Sequence, residues 1–351
     1  MITVFGATGF TGRRVAQALE ARQLPFRLAG RSRDRLAALA AQLATRPEIV
    51  LAEAHAPEAL PAPAGPHLLI NCAGPFTDLG EPVVRLAALR GWHYLDLSNE
   101  LGFVYSLGQY AALARQTGAA VVPACAFEVA LADCLIRQQA AEWPGPLDAV
   151  DVVYAWPART MSYGTRLSGL RAYAAGWVAY QEGRWRRQAP AARVFCGQLG
   201  GLPFQAITFP SAEVVTVPAH TPARSVAAWL AVSARWARAV ATVLPLVSGL
   251  LRTPVGRLVA FSFRHLAPPP QPTGQDRFAI QVQLRRAAET RRWTLRGVDP
   301  YGLSAQIVAY AAEALLTSGA RPGGVFAPAS VLDPERFLTW AQAQGVTLQP
   351  D

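Results

Sequence analysis

The chain has 351 residues, a formal net charge of +10 and a hydrophobic content of 52%. This length fits two domains, and the apolar content excludes a disordered chain. Each of the 33 basic side chains is an arginine, which excludes Schiff-base chemistry, a lysine general base and a Tyr-x-x-x-Lys pair.

The first twelve residues predict a strand, a glycine turn and a helix. Ile2, Val4 and Phe5 favour a strand, and residues 13–22 have the apolar spacing of a helix. In a dinucleotide-binding βα unit, glycines allow a tight turn, backbone approach to the pyrophosphate and close helix packing. The spacing here is G-x-x-G-x-x-G. The predicted pyrophosphate site consists of Gly6, Ala7, Thr8, Gly9, Phe10, Thr11 and Gly12.

The second predicted strand, residues 26–29, ends where such a site distinguishes its cofactors. An NAD site usually has an acid there for the ribose 2′-OH, whereas an NADP site has arginine for the 2′-phosphate. This chain has Arg31, Ser32 and Arg33 and no acid at the strand end. We therefore expect NADP(H), with NAD(H) less favoured. The alternative is that these residues only begin the next helix, residues 34–44.

Further strands are predicted at 49–51, 67–71, 92–97 and 119–122, separated by helical patterns that include 80–89 and 105–117. This alternation predicts an α/β fold, a doubly wound parallel sheet of the Rossmann type. The carboxyl ends of parallel strands line the ligand cleft of such sheets. We expect the backbone after the fourth strand to pass under the cofactor there, at Asn71, Ala73, Gly74 and Pro75.

Polar residues where the fourth to sixth strands end are the candidates for catalysis. Tyr94 is a candidate proton donor or hydrogen-bond donor, with Asp96 or Glu128 to orient it. His93 is an alternative to Tyr94, because the two face opposite sides of the strand. Each of them also has a structural interpretation: a core aromatic for Tyr94 and a helix cap for either acid.

The chain breaks at residues 143–146, Trp-Pro-Gly-Pro, after a helix at 129–139. Strands at 149–155, 279–284 and 293–297 and a helix at 165–180 predict a second, mostly antiparallel α+β domain. Helices at 304–316 and 334–344 end the chain. We expect a dinucleotide-binding domain at 1–145, an inserted substrate and dimerisation domain at 146–298, and 299–351 packing back on the first domain.

An apolar segment, residues 226–251, is predicted as helix and is rimmed by arginine. It is too short in its uncharged part to span a bilayer. Two interpretations stay open: peripheral contact with an anionic membrane, or burial at a domain or homodimer interface. The rimming residues are Arg224, Arg252, Arg257, Arg264, Arg285, Arg286, Arg291 and Arg292.

The remaining composition predicts a cytoplasmic protein that binds neither metal nor nucleic acid. The four cysteines form no C-x-x-C pair, and the five histidines have no metal-ligand spacing. The chain starts directly on a predicted strand, so no signal peptide is expected. The positive charge lacks the recognised fold or aromatic platform of a nucleic-acid-binding protein.

Four stretches together resemble the saccharopine dehydrogenase-like superfamily: Gly6-Ala-Thr-Gly-Phe-Thr-Gly12, Leu28-Ala-Gly-Arg-Ser-Arg33, Asn71-Cys-Ala-Gly-Pro-Phe76 and His93-Tyr-Leu-Asp-Leu97. The closest similarity is to the branch of trans-acting enoyl reductases, and residues 297–310 and 323–328 resemble the end of that family. The resemblance implies a nicotinamide cofactor and a lipid-like acyl substrate. The chain departs at residues 126–129, Ala-Phe-Glu-Val, where that branch has a Gly-Phe-Asp-Ser-type turn.

The leading hypothesis is therefore an NADP(H)-dependent oxidoreductase that reduces an enoyl or other polarised C=C bond of a hydrophobic small molecule. Residues 161–165 are candidates to line the substrate side. One alternative is a saccharopine-type dehydrogenase that acts on a C–N bond of an amino acid adduct, which needs arginines to clamp carboxylates. Another is a nucleotide-binding protein without catalysis, attached to a membrane or partner through residues 226–251.

Overall fold

The computed structural model describes residues 1–62, 65–156, 162–174, 177–188, 193–199, 202–232, 272–317 and 323–351, with a few positions between 239 and 253. The chain forms two compact units. The first comprises Met1–Asn99, Ser106–Ala130 and Tyr301–Leu332, and the second comprises Glu100–Tyr105, Leu131–Pro300 and Asp333–Asp351.

The first unit is built on a sheet whose strands are all parallel. The strands are β1 (Ile2–Phe5), β2 (Phe26–Gly30), β3 (Ile49–Leu51), β4 (Leu68–Asn71), β5 (His93–Asp96), β6 (Ala120–Val122) and β15 (Gly324–Val325). The helices are α1 (Phe10–Ala21), α2 (Arg33–Gln42), α3 (Phe76–Leu89), α5 (Ala111–Thr117) and α10 (Pro328–Val331), with most of α9 (Pro300–Thr317).

The strand order is β15-β6-β5-β4-β1-β2-β3, which confirms the predicted doubly wound Rossmann-type sheet. β1 and β4 are buried on both faces, as expected for strands covered by helices on either side. The register pairs Phe5 with Asn71 and Asn71 with Asp96. The carboxyl ends of β1, β4 and β5 therefore lie side by side. β15, which pairs with β6, was not predicted.

The second unit contains a mixed sheet of nine strands among the described residues. They are β7 (Ala149–Ala155), β8 (Trp177–Gln181), β9 (Arg184–Gln188), β10 (Val194–Leu199), β11 (Leu202–Thr208), β12 (Val226–Val232), β13 (Arg277–Arg286), β14 (Glu289–Val298) and β16 (Thr347–Pro350). Its helices include α4 (Leu101–Ser106), α7 (Tyr163–Ala174), α8 (Glu213–Thr216) and α11 (Pro334–Ala343), and α6 (Phe127–Glu142) crosses from the first unit.

Neighbouring strands of this sheet run antiparallel except β7 and β12, which confirms the predicted second, mostly antiparallel domain. The prediction that all of 299–351 packs on the first domain is wrong for its last part. Asp333–Asp351 belongs to the second unit, because β16 pairs with β14.

Two predicted helices need correction. Residues 165–180 do not form one helix, because α7 ends at Ala174 and Trp177 begins β8, which forms a hairpin with β9. The segment 226–251 begins as strand, since Val226–Val232 pairs with β7 and β11 inside the sheet. An apolar run without strong alternation suits either a buried strand or a helix. No helix among the described residues is long and apolar enough to cross a membrane.

Several sequence predictions lie outside the described residues. These are Met161 of the segment 161–165, most of 233–251, and Arg252, Arg257 and Arg264.

Candidate functional site

The glycine turn between β1 and α1 needs its small residues for two different reasons. Gly6 has φ of +75°, which side chains rarely adopt, and a Cβ there would lie 2.8 Å from the Ala73 backbone nitrogen. A Cβ on Gly12 would lie 2.4 Å from the Gly6 carbonyl oxygen. Gly9 caps α1, and its N–H donates to the Gly6 carbonyl at 3.0 Å. The turn is therefore closed tightly over the first turn of the helix.

The turn after β4 lies directly against this glycine turn. The Asn71 side-chain oxygen accepts a hydrogen bond from the Ala73 N–H at 3.0 Å, and the Cys72 N–H donates to the Phe5 carbonyl at 2.8 Å. The structure thus brings together two predicted cofactor segments, 6–12 and 71–75. The free N–H groups of a helix's first turn favour an anion at such a place.

Two arginines contact the glycine turn, and two more follow the neighbouring strand β2. Arg31 and Arg33 are exposed after β2, and Ser32 is half-buried and caps α2. The guanidinium groups of Arg13 and Arg35 donate to the Thr8 carbonyl at 3.2 and 3.1 Å. Sequence reasoning missed Arg35, although it lies two residues beyond Arg33 on the same helix start. A cluster of this kind suits a phosphate group.

The ends of β4, β5 and β6 are joined by a buried hydrogen-bond network. The Asn71 amide donates to the Tyr94 hydroxyl at 3.1 Å, and this hydroxyl donates to Asp96 Oδ2 at 2.9 Å. Asp96 Oδ1 accepts from the Ser98 N–H at 2.8 Å, the Ser98 hydroxyl at 2.6 Å and the Ala124 N–H at 2.9 Å. One carboxylate therefore holds the loops that follow two strands.

Tyr94 and Asp96 are both fully buried, at 0% exposure. Burial raises the pKa of each group, although the hydrogen bonds from Ser98, Ala124 and Tyr94 oppose this for Asp96. The neighbouring charge of Asp96 raises the pKa of Tyr94 further. A phenol in this setting keeps its proton, and that proton already has an acceptor. The arrangement explains both residues as supports for the strand-end loops.

Glu128 differs from these two because it is only half-buried. It lies in the first turn of α6, and the Asn99 side-chain amide donates to its Oε1 at 3.5 Å. Burial raises the pKa of Glu128 from 4.5 to about 7, against the smaller lowering effects of its own backbone N–H and of Asn99. A carboxyl that titrates near neutral pH can act as a general acid. Sequence reasoning missed Asn99, which follows Ser98 in the loop after β5.

His93 is at the opposite end of β5 from Asp96. Its Nδ1 accepts a hydrogen bond from the Ala120 N–H at 3.1 Å, so this imidazole connects β5 to the start of β6. His93 and Tyr94 have different partners, because the Tyr94 hydroxyl donates to Asp96 and His93 contacts Ala120. Among the described residues, no group of three or more His, Cys, Asp or Glu side chains could hold a metal ion.

Comparison with known proteins identifies the first part of the chain. Residues 2–126 match the family described as the saccharopine dehydrogenase NADP binding domain. This segment is similar to that family. The match confirms the predicted resemblance and supports NADP(H) as the cofactor.

Two curated relatives extend the comparison. A trans-acting enoyl reductase of Mycobacterium leprae is 35% identical over 144 residues, which are 39% of this chain and 34% of that protein. A protein of Arabidopsis thaliana, named a probable mitochondrial saccharopine dehydrogenase-like oxidoreductase, is 33% identical over 162 residues, 41% of this chain and 36% of that protein. The similarity spans about a third of the length of these relatives.

A saccharopine dehydrogenase (L-Glu forming) from Saccharomyces cerevisiae, solved in its apo form, is similar in fold over the whole chain. The TM-score is 0.63 with 14% sequence identity, and the similarity covers 100% of this chain and 99% of that one. At this identity the comparison supports the fold alone.

Proposed function

We propose that this protein is an NADP(H)-dependent oxidoreductase that reduces a polarised C=C bond, such as that of an enoyl group, in a hydrophobic acyl substrate. The observation that carries the proposal is Glu128, a half-buried carboxyl with a pKa of about 7, which lies two residues beyond the segment 2–126 that matches the NADP-binding family. The relatives named trans-acting enoyl reductase support the substrate class.

The cofactor site fits a dinucleotide on the evidence of its backbone. Gly6 and Gly12 have no room for a side chain, because the Ala73 backbone nitrogen and the Gly6 carbonyl oxygen occupy that space. The turn is therefore as tight as a dinucleotide-binding turn must be, and the first N–H groups of α1 follow it directly. We assign the pyrophosphate to residues 6–12, the backbone face under the nicotinamide half to Asn71, Ala73, Gly74 and Pro75, and the 2′-phosphate to Arg31, Ser32 and Arg33. Arg35 joins this last group. When bound, NADPH supplies the hydride.

Glu128 is the proposed proton donor. Reduction of an enoyl group requires a proton at the carbon next to the carbonyl after hydride reaches the other carbon. A carboxyl with a pKa of about 7 is largely protonated at pH 6 and returns to that state readily near neutral pH. Asn99 orients its Oε1. Tyr94 and Asp96 have a positioning role, because their hydrogen bonds fix the loop that carries Ser98 and Asn99.

The cofactor half of the proposal is tested by titrating the purified protein with NADPH and NADH, following cofactor fluorescence. We expect Arg31→Ala and Arg35→Ala each to weaken NADPH binding by about tenfold or more, the scale of a lost charge-assisted hydrogen bond, and to leave NADH binding nearly unchanged. Arg115→Ala removes an exposed arginine from α5 and serves as the control. Equal loss for both cofactors would contradict 2′-phosphate recognition.

The chemical half is tested with a medium-chain trans-2-enoyl thioester, by following NADPH oxidation. We expect Glu128→Gln to lower kcat about a hundredfold, within the range of general acid catalysis, without weakening NADPH binding. Wild-type protein that binds NADPH but oxidises it with neither enoyl thioesters nor imines would instead favour the non-catalytic interpretation. Oxidation with imines alone would favour C–N chemistry.

The exposed apolar side chains after β12 support peripheral membrane contact as a second proposal. Leu246 is 73% exposed, and Val243, Val247 and Leu250 are also exposed. The net charge of +10 suits an anionic lipid surface. We expect the protein to float with anionic liposomes and Leu246→Asp to reduce this. Leu89→Asp, at an exposed leucine of the first unit, is the control. Equal flotation of the wild type and both variants would exclude this segment as the membrane contact.

A further inference from the structure

A recess lies wholly within the second unit, on the sheet face formed by β7, β12 and β13. Its volume is about 590 Å³, and it opens to solvent. This volume is in the range of small-molecule sites. It is separate from the proposed cofactor and catalytic residues, because the dinucleotide turn and Glu128 belong to the first unit.

The recess has an aromatic wall and a single buried carboxyl. The rings of Phe195 and Trp229 stack with their centres 5.1 Å apart. The Trp229 indole N–H donates to Asp151 Oδ1 at 2.8 Å, and Asp151 is 4% exposed. Two flat rings beside a polar group are typical of sites that take a ligand with an apolar body and a polar end.

Two guanidinium groups face this one carboxyl. Arg285 lies 3.3 Å from Asp151 Oδ2, and the Arg193 guanidinium lies over the Trp229 ring, 5.4 Å from its centre. Both arginines act on Asp151, since their charges oppose the rise in its pKa that burial causes. With Asp151 ionised, the three groups together carry a net positive charge.

The other acids at the rim are already paired. Glu182 forms an ion pair with Arg186 at 2.5 Å, and Asp148 lies 4.0 Å from Arg224. Arg193 forms no ion pair with any residue that the structure describes. One positive charge next to the aromatic wall is therefore left without a matching acid.

We propose that this recess binds a small amphipathic monoanion, a carboxylate with an aromatic or other apolar body. The carboxylate contacts Arg193 and the outer side of Arg285, and the apolar body lies against Phe195 and Trp229. The proposal is independent of the reductase function, because every residue it uses belongs to the second unit.

The test uses 3-phenylpropionate as the probe, with 3-phenylpropylamine as the same body carrying the opposite charge. Saturation-transfer NMR detects binding, and calorimetry gives the Kd of each variant. We expect the carboxylate to bind at millimolar concentration or tighter and the amine not to bind. Arg193→Gln should weaken carboxylate binding about tenfold, the scale of a charge-assisted hydrogen bond.

Two further variants separate this recess from any other site for the probe. Ala227→Leu places a larger side chain in the recess that Ala227 lines, so we expect it to abolish binding. Arg115→Gln removes an equal charge from an exposed position of the first unit, whereas every residue lining the recess belongs to the second unit, and should leave the Kd unchanged. Absence of binding to the wild type, equal binding of the amine, or an unchanged Kd in Arg193→Gln would each overturn the proposal.

Discussion

Replacing Glu128 by glutamine should change the pH dependence of folding stability in a defined direction. The folded-state pKa of Glu128 is about 7, against 4.5 without the protein environment. Between these values the folded state holds a proton that the unfolded state has released, so wild-type stability falls as pH rises. The shift is worth about 3 kcal/mol at most, since partial solvent contact reduces it.

The substitution Glu128→Gln keeps the shape of the side chain and removes this titration. We expect the variant to gain stability relative to wild type as pH rises from 4.5 to 7, with a constant difference on either side of that window. Thermal unfolding from pH 4 to pH 9 measures the difference. Carboxyl NMR of protein labelled with ¹³C-glutamate gives the pKa directly, because the Glu128 signal is the one missing in the variant. A midpoint near 4.5 would refute the reasoning and remove the support for Glu128 as proton donor.

Substitutions at Gly12 and Tyr94 test the surroundings of the site, with Gly9→Ala as a comparison, and a substitution at His67 tests the buried amino end of β4. Gly12→Ala should lower the free energy of unfolding by about 1–3 kcal/mol and abolish NADPH binding, because the new Cβ would lie 2.4 Å from the Gly6 carbonyl oxygen. Gly9→Ala should lower it less, because its Cβ would lie 3.2 Å from the same oxygen. Thermal shift and cofactor titration compare the two variants. Tyr94→Phe should lower stability by about 1–2 kcal/mol and keep more than a tenth of the wild-type kcat, because the Tyr94 hydroxyl only donates a hydrogen bond to Asp96. A larger loss of kcat in a folded variant would indicate a catalytic role for Tyr94. Burial lowers the pKa of His67 to about 3, so the wild type loses up to about 5 kcal/mol of stability as pH falls from 6.5 to 3. His67→Gln should make stability depend less on pH in this range. Denaturant midpoints at pH 4 and pH 7 measure the difference.

The first unit could be predicted because each of its signals is local. Strand, glycine turn and helix follow one another within about twenty residues, and β4 and β5 are short apolar runs that end in polar residues. Errors arose where a signal had two meanings. The helix predicted at 80–89 begins earlier, at Phe76, and contains Pro82 in its interior. β15 has only two residues, too few for any periodic pattern.

The second unit was harder to predict because its strands depend on partners far away in sequence. β12 is apolar enough to suit a helix, and its pairing with β7 and β11 decides that it is a strand. β10 alternates between half-buried and exposed residues, so its apolar pattern is weak. β16 joins the sheet through β14, and nothing near residues 347–350 indicates that partner.

The site itself shows why sequence alone selects residues but not their roles. Polar side chains at the ends of parallel strands can bind a ligand or join the strand-end loops, and both uses place the same residue types at the same positions. Tyr94 and Asp96 were candidates for that reason, yet they satisfy each other and have no exposed surface. Glu128 was a candidate on the same signal, but its side chain is partly exposed, and its hydrogen bond with Asn99 is long, at 3.5 Å. Burial and hydrogen-bond partners, which depend on the folded chain, are what separate a support from an acid.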